Sequence, residues 1–130
     1  MTEQFITFET AKLAKKKGFA EGSHHYYGRL YPDSSDLTIS LQGAGIYTVL
    51  NSEYKKNEVY EAPIQSMLQK WLREKHSMHI VINYEYINNH YTLEVLNLLQ
   101  DEIIYAFYDF NHDTYEEILE KGLQESLKAI

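Results

Sequence analysis

The chain has 130 residues, 44% of them hydrophobic and 24% charged, with a formal net charge of −7 and no cysteine. That length and balance fit a single globular domain over residues 1–130. The missing thiols exclude disulfides, thiolate catalysis and cysteine-ligated zinc.

Charge is unevenly spread. Residues 1–75 hold ten Lys and Arg against nine Asp and Glu, whereas residues 76–130 hold two against ten. An acidic half disfavours a nonspecific grip on nucleic acid, which needs cations to displace counterions from phosphates. It suits an acidic face toward a basic protein, or simply a solvated surface. The opening Met1-Thr2-Glu3-Gln4 lacks the basic start and apolar run of a signal peptide. No segment approaches the roughly 20 apolar residues of a membrane span. The expectation is a cytoplasmic protein with no membrane partner. Twelve tyrosines favour sheet content first and a contact face second, because the ring packs while the hydroxyl reaches water or a partner.

In chain order, residues 5–17 read as a first helix. Thr7 can cap it, Phe8, Ala11 and Ala14 lie on one side, and Gly18 stops it. Lys15, Lys16 and Lys17 oppose the negative end of its dipole, with phosphate binding as the functional alternative. Residues 23–50 read as strands and turns. Gly28 separates His25-Tyr26-Tyr27 from Arg29-Leu30-Tyr31, and Pro32 to Asp36 has turn chemistry. Leu37, Ile39 and Leu41 alternate with Thr38 and Ser40, Gly43-Ala44-Gly45 turns the chain, and Ile46 to Leu50 forms a further strand.

Ala62-Pro63 opens a second helix, with Pro63 expected at its first position. Ile64, Met67, Leu68, Trp71 and Leu72 form its core stripe, and Gln65, Gln69, Lys70, Arg73 and Glu74 its polar face. Three strands follow as an antiparallel meander, because the connections are too short for crossovers. The first alternates from Met78 to Tyr86, and Asn88-Asn89 turns into a second from Tyr91 to Val95. The third, residues 103–110, is the most apolar and is therefore expected at the sheet centre. A last amphipathic helix carries Tyr115, Ile118, Leu119, Leu123, Leu127 and Ile130 at helical spacing. Thr114 and Glu117 give it a capping box.

Four constellations invite chemistry. Tyr26, Tyr27, Arg29 and Tyr31 combine aromatic faces with a cation, the ingredients of a small-molecule or single-stranded nucleic-acid site. His76 and His79 are the candidate metal ligands of a hydrolase, although a helix end and a strand start do not share the single face of an H-E-x-x-H site. Asp109, Asn111, Asp113 and Glu120 occupy calcium-loop positions one, three, five and twelve, but Thr114 stands where such loops need glycine. Gly43-Ala44-Gly45 lies between strands rather than before a helix, so it does not make a dinucleotide fingerprint. No nucleophile elbow or other catalytic signature occurs, and no cofactor is implied.

Several segments also come in a familiar order. They are Phe8-Glu9 with Ala11, Gly18-Phe19, Tyr26-Tyr27, Ala62-Pro63 with Gln65, Trp71-Leu72-Arg73-Glu74-Lys75-His76 and Thr114-Tyr115-Glu116-Glu117. Over nearly its whole length the chain resembles a family of small uncharacterised proteins carried by phages and prophages of gut Bacteroidetes. The resemblance implies a phage-derived gene expressed in bacterial cytoplasm. It transfers no functional residues, because the family has no assigned activity.

The expected fold class is α+β, an antiparallel β-sheet with two or three helices packed on one face. The expected function is non-enzymatic protein binding by a phage or prophage accessory protein, through a protein partner or self-association. A ligand-binding module and a metal-dependent hydrolase are the alternatives.

Overall fold

The computed structural model describes residues 4–23, 25–28, 38–39, 59–87, 89–110 and 114–130. The expected strand over residues 46–50, the glycine turn at 43–45 and the loops at 32–36 and 51–57 lie outside them. The fold is α+β, with three helices and antiparallel strands among the described residues. Its contacts fall into two compact units, Phe5–Pro63 and Ile64–Ile130, the latter with Gln4.

In the first unit, helix α1 spans Phe8–Lys16. Thr7 holds extended backbone and its side-chain oxygen accepts from the Thr10 amide at 3.3 Å, which satisfies one donor of the first turn. That cap fixes the start, so Phe5 and Ile6 precede the helix, and the Ile6 amide donates to the Pro63 carbonyl at 3.0 Å. Gly18 ends the helix at φ 94°, a conformation costly for other residues. Strands β1 (Tyr26–Gly28), β2 (Thr38–Ile39) and β3 (Tyr60–Glu61) form an antiparallel sheet in the order β2-β1-β3. Ile6, Ala11, Ala14, Phe19 and Val59 are buried.

The second unit runs α2 (Gln65–His76), β4 (Met78–Glu85), β5 (His90–Asn97), β6 (Glu102–Phe110) and α3 (Tyr115–Ala129). Thr114 caps α3 as its sequence predicts, although the Glu117 carboxylate takes the Thr114 hydroxyl rather than the Thr114 amide of a full capping box. The Glu117 amide donates to Thr114 Oγ1 at 3.2 Å, and that hydroxyl donates to Glu117 Oε1 at 3.2 Å. Leu68, Trp71 and Leu72 of α2 and Ile118, Leu119, Leu123 and Leu127 of α3 are buried. Both helices pack on the same face of the sheet, where Met78, Ile80, Leu93 and Val95 form the floor of this core.

Three expectations need correction. Among the described residues the order β4-β5-β6 puts β5 at the centre and β6 at an edge. In a meander the middle strand is central by connection, whatever its neighbours' hydrophobicity. Pro63 is not the first helical residue, because Ile64 is the N-cap and α2 begins at Gln65. The Ala62 amide still donates to the His25 carbonyl at 2.8 Å, so strand-like pairing holds the chain extended up to Pro63. Gln65, read as polar-face, is buried. Its Nε2 donates to Glu120 Oε1 at 2.9 Å and to the Glu116 carbonyl at 2.8 Å.

Candidate protein-interaction surface

Strands β4 and β5 pair in a long hairpin that sets Tyr84 directly opposite Tyr91. Asn89, at φ 50°, supplies the left-handed backbone of the turn, which Asn tolerates better than most residues. Period-2 alternation puts Tyr84 and Tyr91 on the same face as Ile80, Ile82, Leu93 and Val95. Tyr84 lies toward the hairpin tip and stays exposed.

The tyrosines there form one chain of ring contacts. Tyr86 meets Tyr84 edge-on at 5.5 Å, Tyr84 meets Tyr91 at 5.1 Å, and Tyr91 meets Tyr115 at 6.0 Å. Such tilted pairs satisfy the ring quadrupoles and are worth about 0.5–1.5 kcal/mol each beyond area burial. The Tyr84 hydroxyl donates to Asn89 Oδ1 at 3.1 Å and ties the cluster to the turn. Tyr86 is 85% exposed and the adjacent Ile87 90%. An ordered aromatic floor with a large apolar side chain held in water is the composition of an interaction anchor. Glu116 and Glu117, beside Tyr115 in the first turn of α3, are exposed acids at this end.

The sheet's opposite face carries His79, Val81, Thr92, Glu94, Leu96, Ala106 and Tyr108 by strand register. Tyr108, 53% exposed, donates its hydroxyl to Glu94 Oε1 at 3.0 Å. That hydrogen bond, then burial and the Glu94 charge, raise the tyrosine's pKa above its ordinary value. At the hairpin tip, His90 Nε2 sits 3.0 Å from Glu85 Oε2 without the alignment of a hydrogen bond.

The residues singled out from sequence are dispersed. Tyr26 and Tyr27 are half-buried neighbours on β1, so they point to opposite faces of their strand. The Tyr27 hydroxyl donates to the Ile6 carbonyl at 2.7 Å and its ring packs edge-on against Phe8. The Tyr26 hydroxyl is held above its usual pKa by burial and then by the Glu61 charge. Arg29 and Tyr31 lie outside the described residues. His76 packs its ring on Trp71 at 4.7 Å, whereas His79 lies on the sheet. Among the described residues no three His, Asp or Glu side chains converge as a metal set. Glu120, the twelfth position of the calcium-loop pattern, is buried and accepts from Gln65. Lys15 is committed too: its Nζ donates to the Val59 carbonyl at 2.9 Å over the Tyr60 ring, and burial lowers its pKa.

The tyrosine cluster escaped the sequence reading. Its signal was present only in part: a two-residue turn at Asn88-Asn89 pairs Tyr86 with Tyr91, whereas the observed register closes at Glu85 opposite His90 and sets Tyr84 opposite Tyr91. The link to Tyr115, however, depends on where α3 begins above the sheet. Comparison with protein-family models, curated proteins and solved structures returns no match. No helix among the described residues is long and apolar enough to cross a membrane.

Proposed function

We propose that this chain is a non-enzymatic protein-binding module, an accessory protein of a phage or prophage working in bacterial cytoplasm. The observation that carries the reading is the tyrosine-rich end of the second unit, with Tyr86 and Ile87 almost wholly in water above an ordered aromatic floor. Large apolar groups at such exposure cost solubility, and a partner that buries them recovers about 25 cal/mol per Å² of apolar surface.

The alternative of a nucleic-acid platform at Tyr26, Tyr27, Arg29 and Tyr31 has less support. Its first two rings face apart, and the Tyr27 hydroxyl is already engaged.

The test is affinity capture from the natural host with the native chain and with the double variant Tyr86→Ser, Ile87→Ser. A protein recovered by the first and lost with the second is the expected result. Recovery of no partner by a chain that also stays monomeric would remove the reading.

A further inference from the structure

Strand β6 is nine residues long and, among the described residues, pairs with β5 alone. Ile103 is 57% exposed, and Ala106, Phe107 and Tyr108 in succession are exposed as well, so both faces of the strand meet water there. An edge strand presents unpaired N–H and C=O groups to a further strand, and proteins usually blunt such edges with lysine or proline. β6, Glu-Ile-Ile-Tyr-Ala-Phe-Tyr-Asp-Phe, has neither.

The charge around it has one sign. Residues 76–120 contain no Lys or Arg, while Glu85, Glu94, Asp101, Glu102 and Asp109 fall on or between the three strands. Lys121 of α3 reaches the Tyr105 ring, yet it is ion-paired with Glu125 at 3.0 Å. The C-terminal end of β6 is also continuous with the tyrosine cluster, because Phe110 pairs with Tyr91.

We propose that the outer edge of β6 receives an extended segment of a partner protein as a fourth strand, and that this segment alternates apolar residues with lysine or arginine. Main-chain hydrogen bonds to the β6 edge would give the affinity. Apolar residues on one face of the incoming strand would cover Ile103 and Tyr108, and cations on its other face would meet Glu102. A second copy of the chain is a poor occupant, since it would bring an equally acidic sheet to the same edge. β6 is also irregular. It takes an extra residue at Ile104 and another between Phe107 and Phe110, while Tyr105 to Phe107 stay in register with Val95, Glu94 and Leu93. Bulges twist an edge away from continuous pairing with its own kind but leave that short window regular for an incoming strand. The proposal rests on the protein-binding reading and names the partner's chemistry.

Hydrogen–deuterium exchange of the native chain tests it. The probe is a short capped peptide alternating valine with lysine, compared with valine–glutamate and proline–lysine peptides of equal length. With free peptide at about ten times its Kd, the outward amides of β6 should exchange about tenfold more slowly, since exchange then proceeds through the unbound fraction. The effect should weaken as salt rises, and the other two peptides should not produce it. Equal protection by the proline–lysine peptide would reduce the contact to charge alone and overturn strand addition. Absence of protection overturns the proposal as well, as does β6 protection that grows with protein concentration in the chain alone. If β6 stays unprotected while the Tyr86 and Ile87 variant still loses its partner, the edge assignment falls and the binding reading stands.

Discussion

Gly122 sets how closely α3 lies on the sheet. A Cβ at that position would stand 2.8 Å from Ile80 Cγ2 and 3.0 Å from Leu93 Cδ1. Helix propensity alone favours alanine over glycine by about 1 kcal/mol. Overpacking a fitted core costs about 1–3 kcal/mol, and Ile80, branched at Cβ, has little rotamer freedom to move aside. Gly122→Ala should therefore lower the unfolding free energy by about 1 kcal/mol after the helix gain is counted. Urea denaturation followed by the emission of Trp71, the single tryptophan, measures it. A raised midpoint would mean that α3 lifts freely from the strands. Tyr108 offers a second reading at this scale. Its hydrogen bond to Glu94 makes the folded chain hold the phenolic proton more tightly than the unfolded chain does. The contact thus supports the fold below the ordinary tyrosine value and loses that support as pH rises through the folded-state pKa. A ¹³C titration of the labelled Tyr108 ring should have its midpoint above 10.0, and Glu94→Gln should bring it down.

Among the elements, α2 separates residues that share a stripe in sequence but not an environment. Trp71 is buried against the His76 ring, whereas Met67, one turn earlier, is exposed. Trp71→Ala should cost about 3–5 kcal/mol, and Met67→Ala less than about 1 kcal/mol. Thermal unfolding followed by far-ultraviolet circular dichroism compares the two, and equal losses would contradict the packing of α2. The helices were readable because spacing, caps and a stopping glycine are local: Thr7, Thr114 and Gly18 each act within one turn of their own position. The burial of Gln65 was not readable, since its acceptors Glu116 and Glu120 arrive from α3, some fifty residues later. The edge position of β6 was hidden for another reason. Apolar composition favours burial, yet strand order follows connectivity, and Ile103 and Tyr108 ended in water. The tyrosine end lay between these cases: the asparagine turn brings the two tyrosine-bearing strands together, but the Tyr84–Tyr91 register and the contact with Tyr115 come from the folded packing.

At the scale of the whole molecule, net charge and exposed edge act against each other. At neutral pH the formal charge of −7 keeps copies apart even though β6 presents Ile103 and Tyr108 to solvent. Near the sequence isoelectric point of about 5.3 that repulsion vanishes, and an apolar edge strand without lysine or proline becomes an exposed pairing template. Light scattering against pH should therefore show association centred near pH 5.3. Ile103→Lys places a cation on the edge and should suppress it, whereas Gln100→Lys adds the same charge in the neighbouring turn and should only shift the pH at which it occurs. If both variants behave alike, net charge governs association and the β6 edge plays no part. If neither matters and Tyr86→Ser with Ile87→Ser abolishes the scattering, the sticky surface is the tyrosine end.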